Sequence, residues 1–92
     1  MESNNLSIHV KIIRANLYRN TELFGHMDPF IVIEHDKKKY KTPIIQDGGM
    51  APVWNHSIII TQTSLFDVVK IICYDEDFIM DDFVGEMTVV FS

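Results

Sequence analysis

The chain has 92 residues, 47% of them hydrophobic, and a formal net charge of −5 from 13 acidic and 8 basic side chains. That length suits one small domain, and the apolar fraction suits a packed core rather than wholesale disorder. The acidic balance argues against nucleic acid as the main partner, and the single cysteine, Cys73, excludes an internal disulfide.

Leu6, Ile8, Val10 and Ile12 alternate with Ser7, His9 and Lys11, which is the period of a half-buried strand. Residues 13–15 close it, and a polar loop follows over 16–27. A second strand is predicted over Pro29–His35, with Phe30, Val32 and Glu34 on one face and Ile31 and Ile33 on the other. Pro29 fits its first position, where no ladder N–H is needed. Residues 36–38 make a charged turn, and a third strand returns over 39–45. Gly48, Gly49 and Pro52 mark 46–52 as a loop. The fourth strand covers 53–61, with Trp54, Ile58 and Ile60 inward and Ser57 and Ile59 outward. A connector at 62–67, with room for one helical turn, leads to a fifth strand at 68–74 with Val69, Ile71 and Cys73 inward. An acidic loop at 75–83 precedes the sixth strand, at 84–91. Short, regularly spaced strands without a sustained helical period predict an all-β antiparallel sandwich.

The longest apolar run is far below the ~20 residues of a membrane span, so membrane contact would be made from the side. Met1–Asn5 is polar and carries no signal-peptide pattern, and with one cysteine this places the expectation in the cytoplasm.

The acids are not spread evenly. Asp75-Glu76-Asp77 and Asp81-Asp82 lie within eight positions and flank Phe78-Ile79-Met80. Carboxylates this close repel one another unless a cation neutralises them, and calcium takes six to eight oxygens from adaptable loops. Alternate residues at a strand end point the same way, so Asp75 and Asp77 can aim at one ion and Asp82 can close the far side. The plainer reading is a solvated acidic turn. An EF-hand is rejected, because the sixth position counted from Asp75 is Met80 rather than Gly and the flanks read as strands. A second loop offers Glu22 and Asp28, bracketing Leu23-Phe24-Gly25-His26-Met27.

The order of these pieces resembles a C2 domain. The stretch 6–17 is similar to that family's opening strand and its Ala-x-Leu turn. Gly25-His26-Met27-Asp28-Pro29-Phe30 resembles Gly-x-x-Asp-Pro-Tyr, and Tyr40-Lys41-Thr42 resembles the Lys-Thr strand. Pro52-Val53-Trp54-Asn55 resembles Asn-Pro-x-Trp-Asn, with Ala51 where Asn is usual. Tyr74-Asp75-Glu76-Asp77 and Asp82-Phe83-Val84-Gly85-Glu86 resemble the third loop.

The resemblance implies one domain over 1–92, a Greek-key β-sandwich, and calcium held by Glu22, Asp28, Asp75, Asp77 and Asp82. Glu22 stands where Asp is usual. The loop between Asp77 and Asp82 is also a residue shorter than in many members, so Asp81 is available as a substitute or extra ligand. Backbone carbonyls near Thr21, Glu76 and Met80 complete the implied shell.

It further implies docking on anionic phospholipid such as phosphatidylserine, with Leu23, Phe24, Phe78, Ile79 and Met80 entering the lipid. From the residues alone, such apolar tips either pack on a neighbouring loop or await a partner. Bound ions, with roughly two charges each, would reverse the local potential. Lys37, Lys38, Lys39 and Lys41 form a basic patch that reads as a solvated turn guarding a sheet edge or as an anion site. Lys39 and Lys41 match positions that bind phosphoinositides in some C2 domains. The alternative function is a calcium-independent protein-interaction C2 domain. An enzyme is not expected, since there is no activated nucleophile and no Gly-rich phosphate loop.

The remaining polar residues read as structural. Trp54 is predicted as a core anchor and Cys73 as a small buried apolar residue. His9, His35 and His56 are predicted at outward or edge positions, and His26 as exposed. Members of the family generally have eight strands and six are legible here. A shortened C-terminus, a minimal domain or a second chain over the open edges would account for that, and an unpaired edge predicts a homodimer.

Overall fold

A computed structural model describes residues 6–62 and 68–90. It contains six strands: β1 Leu6–Arg14, β2 Pro29–His35, β3 Lys38–Lys41, β4 Val53–Gln62, β5 Val68–Asp75 and β6 Asp82–Val90. No helix occurs among the described residues. Most of the connector expected at 62–67, and Phe91 of the expected last strand, lie outside them.

β1 and β4 form a two-stranded sheet, and β3-β2-β5-β6 form a four-stranded one, with every pair antiparallel. The expected all-β sandwich is the architecture observed. Ile31 and Ile33 of β2, Ile58 and Ile60 of β4, and Val69 and Cys73 of β5 meet in the core between the sheets. Trp54 is buried with them, as its position predicts, and its indole N–H finds no hydrogen-bond partner among the described residues.

Three local differences have clear causes. β3 is shorter than its expected 39–45. Thr42 turns its hydroxyl onto the Ile31 N–H at 2.9 Å, and Pro43 brings no N–H of its own, so the ladder stops. The turn before β3 is only two residues, Asp36 and Lys37, both with positive φ (48° and 65°), which matches the twist of a tight hairpin. His35, expected at an edge, is buried at 4% exposure, because β2 lies between β3 and β5 and His35 shares the inward parity of Ile31 and Ile33.

The sheets are unequal. The smaller one leaves part of the larger uncovered, and a groove of about 530 Å³ opens between β1 and β6, walled by Lys11, Ile13, Arg14, Ile71, Val84 and Met87.

Candidate metal centre

Backbone hydrogen bonds gather three loops at one end of the sandwich. They are 15–28 between β1 and β2, 42–52 between β3 and β4, and 76–81 between β5 and β6. The acids predicted on the first and third loops therefore meet. Carboxylate oxygens of Glu22, Asp77 and Asp82 all lie within 4.8 Å of one another. Asp82 is positioned by β6, where it pairs directly across from Asp75 at the end of β5.

Asp75 is fully buried behind this group. Its Oδ2 accepts the Thr21 hydroxyl at 2.7 Å and its Oδ1 accepts the Asp28 N–H at 2.7 Å. Asp28 accepts the Asp47 N–H on its own Oδ1 at 2.7 Å, and its carbonyl accepts the Glu76 N–H at 3.0 Å. Asp81 is engaged with its own loop, accepting the Asp77 N–H at 3.3 Å, while Asp77 accepts the Phe78 N–H at 2.7 Å. Of the residues named for the metal shell, Glu22, Asp77 and Asp82 converge on one point. Asp75, Asp28 and the Thr21 side chain form the hydrogen-bonded base beneath them. Glu76 reaches that base through its N–H, and Asp81 stands to one side.

The charge of this cleft is visible in Glu22. The Asp75 carboxylate raises its carboxyl above the usual 4.5, first through a shared hydrogen bond and then through its charge, and the charges of Asp77 and Asp82 push the same way. Glu22, Asp77 and Asp82 offer only oxygen donors, with no His or Cys among them. Such a set fits a hard divalent cation, while a thiolate- or imidazole-seeking metal would find no preferred ligand.

The apolar tips flank the carboxylates and do not pack on each other. Leu23 and Phe24 are 90% and 87% exposed, Phe78 and Ile79 are 100% and 92% exposed, and Met80 is largely exposed too. Met27, which the sequence places in the same loop, is instead completely buried and anchors that loop in the core. His26 is exposed as expected.

The lysines lie elsewhere, on the four-stranded sheet. Lys39 pairs across from Glu34, with an ion pair at 3.8 Å, and Lys41 sits one row along across from Val32. Lys70, also opposite Glu34 on its other side, joins Lys37, Lys38 and Lys39 around a shallow depression of about 280 Å³. Sequence reading missed Lys70 because the pairing of β2 with β5 is long-range.

The sequence model of the C2 domain matches residues 6–92. Human 1-phosphatidylinositol 4,5-bisphosphate phosphodiesterase eta-1 is 35% identical over 72 residues, which cover 72% of this chain and 4% of that protein. Multiple C2 domain and transmembrane region protein 8 of Arabidopsis thaliana is 29% identical over 79 residues, covering 85% of this chain and 8% of that protein. Among solved structures, human GIVD cytosolic phospholipase A2 superposes with a TM-score of 0.83 at 26% identity, covering 96% of this chain and 14% of that one. A C2 domain of plant extended synaptotagmin 1 superposes at 0.82 with 24% identity over 90% of this chain and 66% of that one, a likeness of fold. The chain thus spans under a tenth of the two sequence relatives named.

Proposed function

From the premise that the chain belongs to the C2 domain family, we propose that it is a calcium-dependent module for anionic phospholipid membranes. The observation that carries this is the convergence of the Glu22, Asp77 and Asp82 carboxylates between two exposed apolar tips. Glu22, Asp77 and Asp82 hold the ion, and Asp75, Asp28 and Thr21 brace the loops that present them. Unneutralised, the same carboxylates repel an anionic surface. When bound, calcium supplies positive charge and coordination positions for phosphate and carboxylate oxygens of lipids such as phosphatidylserine. Leu23, Phe24, Phe78, Ile79 and Met80 then enter the interface. Fully burying one such side chain contributes about 1.5–3 kcal/mol.

The test is co-pelleting with phosphatidylserine vesicles in calcium and in chelator. Calcium-dependent pelleting supports the reading, and equal pelleting in both overturns it. One observation favours the second reading, a calcium-independent protein-interaction domain. Asp28 and Asp75 accept hydrogen bonds from the surrounding loops, which leaves three convergent carboxylates instead of five. A titration showing no calcium binding, with the fold intact, would select it.

Lys39 and Lys41, with Lys70 nearby, form a site for phosphoinositide headgroups, tested by comparing vesicles with and without that lipid. The domain acts by binding and not by catalysis, at the cytoplasmic face of a membrane; no helix of the described residues is long and apolar enough to cross one. The open edge beside the groove pairs with a second copy, and a monomeric mass by light scattering at high concentration would refute that.

A further inference from the structure

The loop joining β3 to β4 contributes no carboxylate to the cluster, yet it holds both arms of the first acidic loop. On the entering arm, Ala15 N–H donates to the Pro52 carbonyl at 3.1 Å and Leu17 N–H to the Met50 carbonyl at 2.7 Å. On the leaving arm, Gly49 N–H donates to the Met27 carbonyl at 3.0 Å and Ile45 N–H to the Pro29 carbonyl at 3.1 Å. Between these two bonds, Asp47 N–H meets the Asp28 carboxylate at 2.7 Å. Residues 27, 28 and 29 are thus each fixed by this one loop.

We infer that the β3–β4 loop is the positioning element of the metal centre, with Gly48 and the backbone of Asp47 as its working parts. This rests on the calcium reading above and deepens it. The restraint passes from Asp28 into the rest of the site. Asp28 N–H is bound to Asp75, and its carbonyl to the N–H of Glu76, next in sequence to Asp77. Asp75 in turn holds the hydroxyl of Thr21, next to Glu22, and lies directly across from Asp82. Every member of the Glu22, Asp77 and Asp82 cluster is therefore one residue, or one cross-strand pair, from a group that Asp28 anchors directly or through Asp75.

The loop can do this only in a conformation with special demands. Asp47 has φ 55° and Gly49 φ 65°, both left-handed. Gly48 has no such demand on φ, but a Cβ there would lie 3.0 Å from both Ile45 Cγ2 and Pro29 Cδ. An added methyl needs Pro29, Ile45 or the loop itself to give by a few tenths of an ångström, and Pro29 is bonded to Asp28. Outer groups that orient metal ligands typically change metal affinity by 10–100-fold when disturbed.

The experiment is calcium titration of Gly48→Ala beside wild type by calorimetry, well below the melting temperature of either, with folding checked by circular dichroism. Affinity is expected to fall by about tenfold in Gly48→Ala. A purely structural role would lower the melting temperature and leave the affinity of the folded protein unchanged, and that result overturns the inference. If Gly48→Ala does not fold, amide exchange on the wild type decides. Calcium should slow exchange at the Asp47 and Gly49 N–H groups, and unchanged rates overturn the inference. Wild type that binds no calcium removes the calcium reading itself. Wild type that binds, with Gly48→Ala binding equally well, removes this inference alone.

Discussion

At the scale of single residues, the site is governed by charge that has nowhere to go. Glu22 binds its proton more readily in the folded protein than in the unfolded chain, because Asp75, Asp77 and Asp82 surround it. Between the unfolded value near 4.5 and the raised folded value, the folded state keeps a proton that the unfolded state has released. Stability of the metal-free protein should therefore fall as pH rises through that window. Glu22→Gln should flatten that part of a melting-temperature profile. Calcium affinity should rise with pH across the same window, as the competing proton leaves. Cys73 behaves in parallel at alkaline pH. Burial, with Asp75 adding to it, pushes its thiol up to about 11. Its alkylation at pH 8 should be slow in the folded protein and fast in urea, and rapid labelling of the folded state would contradict its burial. Asp75→Ala leaves the half-buried Thr21 hydroxyl and Asp28 N–H without their acceptor, at about 1 kcal/mol each. Urea unfolding measures that loss.

Elements set what those residues can reach. The β2–β3 hairpin turns on Asp36 and Lys37, and neither is glycine, although left-handed backbone costs an L-residue roughly 1–2 kcal/mol. Lys37→Gly should raise stability by up to about 1 kcal/mol in urea unfolding, after the greater entropy of glycine in the unfolded chain is set against the relief. The loop between β5 and β6 lifts Phe78, Ile79 and Met80 clear of the body. Ile79→Ser should leave folding within about 0.5 kcal/mol, as for an exposed position, and weaken vesicle binding by about tenfold or more. If vesicle binding is unchanged, the tips are not what enters the lipid.

The molecule as a whole is asymmetric, with a two-stranded sheet covering a four-stranded one. Burial follows that asymmetry and not the alternation of each strand alone. Ile33 on β2 is completely buried, whereas Met87 on β6 is 57% exposed although it lies opposite Ile71, which packs on the core. Ile33→Ala should cost about 2–5 kcal/mol and Met87→Ala much less, in the same denaturation experiment. A comparable loss at Met87 would mean that the groove beside β1 is filled in solution.

Much of this protein is written in period two. The alternation through 6–12 and 53–61 fixes which side of each strand is apolar, because side chains on a pleated chain leave it on opposite faces whatever the strand later pairs with. The crowding of Asp75, Asp77, Asp81 and Asp82 around an apolar tip is equally local, and it was enough to mark the third loop. What the sequence by itself could not settle is how such pieces share space. His35 and Met27 read as edge and loop residues until β2 is placed between two neighbours and the first loop is seen to dip into the core. The sequence does not show which acids meet: Glu22, Asp77 and Asp82 converge, while Asp75 and Asp28 are tied to Thr21 and to loop N–H groups. The loop at 46–52 read as punctuation, yet it holds Met27, Asp28 and Pro29. These outcomes depend on pairings between residues far apart in the chain. Those pairings are chosen by burial and hydrogen-bond satisfaction over the whole fold, and a local pattern of residue types does not contain them.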